Sequence, residues 1–311
     1  MPTQPLAFAA TFACSAVCAQ PAPGELDQPV VVTGRTEQRA FYTPFAIGVI
    51  DAQELRSAGP MVNLSEAMTR IPGIVANLRN NYAQDLQISS RGFGARATFG
   101  IRGLRLYTDG IPATMPDGQG QVSHFDLAGA QRIEVLRGPF SALYGANSGG
   151  VIALVSAAPT ERLYSIGGDV GADGLWQGRA AIEAPLDGGW NLKLLASQFN
   201  TDGVRPHSAA QRTLGNLRLG WAGASDAVTL LANSVHQPAQ DPLGLTREQF
   251  DADAFQTTPQ ATLFDTRKTS GQTQGGGTWR HRFDDAGALR ESVFTLWAGR
   301  RDATQWQAIA P

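Results

Sequence analysis

The chain has 311 residues, of which 42% are hydrophobic and 17% charged, with 35 glycines and a formal net charge of -2. A nucleic-acid binder should be basic, so no nucleic-acid partner is expected, and the length allows about two domains. Beyond the N-terminus no apolar run approaches the roughly 18 residues that a membrane-crossing helix needs, although a membrane β-barrel, whose signal per strand is weak, stays open.

Residues 1–19 read as a secretory signal peptide: positions 6–19 are apolar and small, and Val17-Cys18-Ala19 before Gln20-Pro21 has the form of a cleavage site. No Lys or Arg precedes that run, which leaves the true start open. Cys14 and Cys18 both fall inside it, so the rest of the chain has neither a disulfide nor thiol chemistry. Residues 20–42 are expected to be a flexible leader, because Pro, Gly and acidic residues offer too little apolar surface to offset the entropy of ordering. Inside it, at 27–34, Asp27 precedes a β-branched run, Val30, Val31, Val32 and Thr33. This is a strand without a sheet, and its free N–H and C=O groups suit the sheet edge of a partner. The alternative is the first strand of the domain that follows.

From residue 45 the pattern becomes globular. An apolar run at 45–50 leads to two short helices, for which Asp51 with Glu54 and Asn63 with Glu66 have capping-box spacing. Leu64, Ala67, Met68 and Ile71 recur at helical spacing and should face a core, until Pro72-Gly73 ends the second helix. Strands are predicted at 74–76 and 86–90. Gly92, Gly94 and Ala97 then reproduce a G-x-G-x-x-A spacing, but a dinucleotide site needs a helix next, and residues 98–103 are a poor one, so a loop is expected. Residues 104–113 read as a hairpin turning at Asp109-Gly110. Residues 115–123 are too polar and glycine-rich for a strand, and Asp126 is placed to cap a short helix reaching Ala130. His124, beside Phe125, reads as structural.

Residues 133–152, IEVLRGPFSALYGANSGGVI, predict a strand, a break at Arg137-Gly138-Pro139, one helical turn capped by Ser141 and stopped by Gly145, and a second strand over 151–155. This stretch resembles the end of the plug domain of TonB-dependent outer-membrane receptors, whose signature has the form IEVLRGP-x-S-x-LYG-x-x-x-x-GGVI. Only Ala153-Leu154-Val155, beyond the signature, departs from the usual residues.

Past residue 159 the texture turns to strict alternation. Trp176, Gly178, Ala180, Ile182 and Ala184 share one face and Gln177, Arg179 and Glu183 the other; Trp190, Leu192, Leu194 and Ala196 oppose Asn191, Lys193 and Ser197. An apolar outer and a polar inner face over about ten residues is what a transmembrane barrel strand requires. Connections at 187–189, 224–227 and 284–288 are short and should be periplasmic, while 202–210 and 237–265 are long and should be extracellular. About seven such strands are expected, against about 22 in plugged transporters, so the chain reads as a fragment. A soluble, secreted β-rich protein is the alternative, since a sandwich also alternates.

The resemblance implies an α+β plug domain, residues 43–158, followed by an incomplete antiparallel transmembrane β-barrel, residues 159–311, in the outer membrane of a Gram-negative bacterium. It implies that 27–34 is a TonB box pairing with TonB in the periplasm. It implies a small-molecule metal chelate as cargo, a ferric siderophore or related iron chelate first and cobalamin, another metal complex or a saccharide otherwise. Plug loops of the family that touch ligand correspond to Phe99, Met115, Asp117, Gln119 and Gln121. Arginines of its RG pairs, which form salt bridges with barrel glutamates, correspond to Arg91 and Arg137, with Glu183 as the inward glutamate. No G-x-S-x-G, S-x-x-K or H-E-x-x-H motif occurs and the four histidines are scattered, so no enzyme activity, cofactor or resident metal is expected.

Overall fold

The structure, a computed structural model, describes residues 31–33, 37–39, 46–77, 81–97, 100–138, 141–145, 147–283 and 290–308. The expected signal peptide, together with Asp27, Val30 and Phe99, lies outside the described residues. Met1–Thr43 forms one unit. In it β1 (Val31–Thr33) pairs antiparallel with β2 (Glu37–Arg39).

Pro44–Pro311 forms the other unit. It opens with β3 (Ala46–Asp51), whose last residue caps α1 (Ala52–Ala58). The expected capping box is present: the Glu54 amide donates to the Asp51 carboxylate at 2.8 Å, and the Asp51 amide to the Glu54 carboxylate at 3.0 Å. At α2 (Ser65–Met68) the second box is replaced by another arrangement, because Leu64 takes the cap position. There the Glu66 carboxylate turns back to accept from the amides of Met61, Val62 and Asn63 at 2.8, 3.0 and 2.7 Å, so three donors with no helical partner converge on one side chain.

β4 (Ile74–Asn77) and β5 (Gln87–Ser90) make a two-stranded ladder. Residues 91–97 after it are turns, and Ile101 bridges Gly120 in extended conformation. Then come β6 (Leu104–Thr108), β7 (Ile111–Pro112), β8 (Arg132–Arg137), α3 (Ser141–Tyr144) and β9 (Gly150–Val155). With β3 they form a five-stranded sheet in the order β3-β8-β9-β6-β7, parallel at β6 and β9. The glycine-rich corner between β8 and β9 brings Arg137 opposite Gly150, where φ is +127° and an added Cβ would lie 2.0 Å from the Leu136 carbonyl oxygen. Only glycine fits there. The helix expected after Asp126 is a single turn instead: the Asp126 side chain makes the cap-like bond, accepting from the Gly129 amide at 2.8 Å, but no helix follows it. Met68, Ile88, Leu106, Ile133 and Ile152 are buried at the centre of one apolar core.

Among the described residues, the remaining strands are an antiparallel meander of seven: β10 (Leu163–Val170), β11 (Trp176–Pro185), β12 (Trp190–Thr201), β13 (Ala210–Ala222), β14 (Asp226–Gln240), β15 (Arg267–Arg282) and β16 (Glu291–Trp306). The connection 241–266 carries two helices, α4 (Arg247–Ala252) and α5 (Pro259–Leu263). Ile166, Ile182, Leu194, Leu217, Leu230 and Leu296 are exposed on one face. Trp190 lies opposite Trp221, and Trp279 opposite Phe294, at the ends joined by short turns. The Trp221 indole donates to the Gly188 carbonyl at 3.0 Å and the Trp279 indole to Asp226 at 2.8 Å. An aromatic row with its polar atoms tied to the turns is what a membrane–water boundary favours.

The inner face departs from the expected polar surface. Lys193, Arg212, Asn233 and Lys268 are there, but so are Leu195, Phe199, Leu214, Leu231 and Val235, all buried. Leu195, Leu214 and Val235 cluster with Ala128 of the globule. A wall that faces packed protein rather than water tolerates apolar residues on its inner side.

Candidate functional site

Three features qualify as candidate sites, each taken by itself. The first is β1, whose Val31, Val32 and Thr33 stand opposite Arg39, Gln38 and Glu37. One edge of this strand is occupied within the chain, in a two-stranded ladder of the kind that is marginal by itself.

The second is the turn at 115–119. The Met115 amide donates to the Gln119 carbonyl at 2.9 Å, the Gly118 amide to the Met115 carbonyl at 2.9 Å, and the Gln119 amide to the Asp117 carboxylate at 3.0 Å. Met115 is 43% exposed and Asp117 is also exposed. Arg102 reaches Asp117 at 3.4 Å with both side chains about half exposed, a pairing that contributes little to stability and leaves both charges available to a ligand. Gln121 is placed differently, at 7% exposure. It lines a cavity of about 50 Å³ between the globule and the sheet, with Tyr82, Asp85, Arg212, Gln237 and Lys268.

The third feature is that interface itself. Of the residues singled out for plug–barrel ion pairs, Glu183 pairs with Lys193 on the neighbouring strand at 3.1 Å. Arg137 donates to the Pro72 carbonyl at 2.5 Å, and Arg91 lies exposed in a turn with φ +50°. The structure does not bring these three together. Other residues make the contacts. Arg212 on β13 donates to the Val62 carbonyl and, at 3.4 Å, to that of Phe125. Lys268 on β15 meets Asp85 at 2.5 Å with both side chains nearly buried. Asn216 donates to Asp126 at 3.2 Å, Arg179 to the Pro60 carbonyl at 3.0 Å and Gln274 to the Pro112 carbonyl at 2.9 Å. The sequence signal for these contacts is a charged or amide residue at some of the inward positions of a period-two strand; their partners, 87 to 183 residues away, leave none.

Burial sets the electrostatics of the globule. Desolvation raises the Glu66, Asp109 and Asp126 carboxyls, opposed by backbone donors, by Ser156 at Asp109 and Asn216 at Asp126, and by the Arg212 charge at Glu66 and Asp126. His124 is pushed down to about 3 by burial and the nearby Arg301 and Arg212 charges, so its ring is neutral and stacks edge-on against Phe125 at 5.2 Å. Among the described residues no group of three or more His, Cys, Asp and Glu is placed to hold a metal.

The profile of the TonB-dependent receptor plug domain matches residues 39–152. The ferric enterobactin receptor PirA of Pseudomonas aeruginosa is 31% identical over 150 residues, 43% of this chain and 19% of its own length. The vitamin B12 transporter BtuB of Photobacterium profundum is 29% identical over 176 residues, 55% of this chain and 28% of its own. Among solved structures, the unliganded ferric citrate transporter FecA superposes with a TM-score of 0.69 at 21% identity, covering 85% of this chain and 41% of that one. The ferric yersiniabactin uptake receptor FyuA of Yersinia pestis gives 0.68 at 20% identity over 84% and 41%. The matched part of the chain thus spans less than half the length of each of these relatives.

Proposed function

We propose, for a chain that belongs to the TonB-dependent outer-membrane receptor family with its plug domain followed by barrel strands, that the whole protein imports a metal chelate across the outer membrane at the expense of TonB-transmitted energy. The cargo we favour is a ferric siderophore or related iron chelate, since relatives similar to this chain are named for ferric enterobactin, ferric citrate and ferric yersiniabactin. Cobalamin is the second reading, supported by the similarity to a vitamin B12 transporter over 55% of the chain.

One observation carries the proposal: a globule with its own apolar core is seated on the inner face of a sheet whose other face is apolar and exposed. Water-filled barrels conduct without a plug, whereas a plugged lumen has to be opened. In this reading cargo settles at the outer turn, on Met115, Asp117 and Gln119, with Phe99 and Gln121 as further contact positions. TonB takes hold of the leader at Asp27 and residues 30–33 by adding a strand to its own sheet. Arg91 and Arg137 are the plug's side of plug–barrel ion pairs, and Glu183 is an inward glutamate of the barrel.

The test is uptake by bacteria that lack their own receptors and carry the full-length protein. Labelled ferric chelates and labelled cobalamin are supplied one at a time, with and without a protonophore. Accumulation of a ferric chelate that stops when the gradient collapses is the expected result. Accumulation of cobalamin alone moves the protein to the second reading, and gradient-independent entry removes energy coupling.

A further inference from the structure

Residues 81–85 of the plug cross the sheet at the root of its longest described connection, and every one of them is engaged there. Asn81 donates to one Asp241 carboxylate oxygen at 2.7 Å and Gln84 to the other at 2.5 Å. The Tyr82 carbonyl accepts from Gln237 at 2.9 Å while its ring lies 5.0 Å from Phe199. Ala83 is buried against Ala210 and Ala239, and Asp85 pairs with Lys268.

Asp241 is also the residue that closes the connection on itself. Its amide donates to the Thr266 carbonyl at 2.8 Å, its carbonyl accepts from the Thr266 hydroxyl at 2.6 Å, and its carboxylate accepts from the Leu243 amide at 3.0 Å. From the connection 202–209, Arg205 holds the carbonyls of Pro242, Leu243 and Gln256 at 3.2, 2.9 and 2.7 Å. One buried carboxylate therefore serves the plug and the long connection at once.

We propose that Asp241 and Lys268 are positioning residues that strap the plug to the root of the connection 241–266, so that the order of this connection and the seating of the plug are one coupled equilibrium. A change in the connection that moves Asp241 withdraws the acceptor from Asn81 and Gln84 together, and loss of either donor frees the connection in turn, as reciprocity of coupling requires. Removing one partner of a nearly buried ion pair leaves the other charge uncompensated, so the strap should respond sharply to single changes. Its use in import, as the route by which cargo on the outer loops loosens the plug, rests on the transport reading; the coupling does not.

The experiment is amide hydrogen exchange on the full-length receptor in detergent, without cargo or TonB, followed at residues 81–90 and 247–263. In Asp241→Asn, and in the single variants Asp85→Lys and Lys268→Asp, exchange should rise about tenfold or more in both segments. The double exchange Asp85→Lys with Lys268→Asp should return both toward the wild-type rate. Faster exchange confined to 81–90, with 247–263 unchanged, overturns the coupling; so does a folded double variant as fast as the singles in both segments. If the double variant does not insert, Asp241→Asn decides by the same two segments. Failure of energised uptake in the wild type removes the transport reading and leaves the coupling intact.

Discussion

In the plug, Leu106, Ile133 and Ile152 turn toward one another until none of their surface reaches solvent, whereas on the sheet Leu296, at 68% exposure, and Ile166, at 93%, stand away from the protein. The two regions use the same residue types against different solvents. A domain bathed in water must hide its apolar surface, and a lipid-facing strand must display it, because hydrocarbon tails are as apolar as leucine. The inner face of the sheet belongs to neither regime, since its solvent is the plug.

The contrast breaks most visibly under truncation. Leu106→Ala should lower the stability of the plug by about 2–5 kcal/mol, because a packed site cannot collapse around the void. Leu296→Ala should change it by far less. Denaturant titration of the full-length receptor in detergent checks both, and equal losses would mean that the outer face is a protein core.

Charge on the outer face sharpens the comparison. Leu217, opposite Leu194 on the neighbouring strand, replaced by Arg should cost about 2–4 kcal/mol if it lies near the bilayer midplane. Comparing folding in lipid vesicles with folding in detergent of shorter chain length measures it. A variant as stable as the wild type in both would contradict a lipid-facing position.

A smaller effect separates the plug by pH. Glu66, Asp109 and Asp126 have carboxyls raised by burial, so the folded plug holds protons that the unfolded chain releases. Their contribution is fully present below the ordinary carboxylate range and is lost as pH rises through the raised values. Mild acidification from neutrality should therefore stabilise this part of the plug, and the amide variants Glu66→Gln, Asp109→Asn and Asp126→Asn should flatten the dependence. Stability followed against pH in wild type and variants decides; an unchanged profile in all three variants would remove these groups as its cause.

The smallest effect falls on the outer turn. Arg102→Ala removes a half-exposed pair with Asp117 and should cost under about 1 kcal/mol of stability. Any larger change should appear in cargo affinity, measured by titration calorimetry on the same variant.

What the sequence made legible follows the range of each interaction. The Asp51–Glu54 box, the glycine corner at 145–150 and the seven alternating strands are set by neighbours in the chain or by a period of two, and each was readable. The turn at Asp126 has the same cap-like acid and the same bond to the Gly129 amide that a helix start would have, so the sequence does not distinguish the two. Leu195 and Phe199 broke the polar inner pattern, and no periodicity announces that a plug will occupy the lumen. Arg212, Lys268 and Asp241 reach partners 150, 183 and 157–160 residues away. Spacing along one strand carries no trace of them.

The import we propose rests on the leader. Val31→Pro removes a backbone donor from the strand that TonB is held to extend. In bacteria carrying the full-length receptor, the variant should bind labelled ferric chelate at the surface as the wild type does, yet accumulate none of it with the proton gradient intact. Wild-type accumulation by the variant, or wild-type accumulation that survives collapse of the gradient, would contradict a plug opened by pulling on residues 27–34.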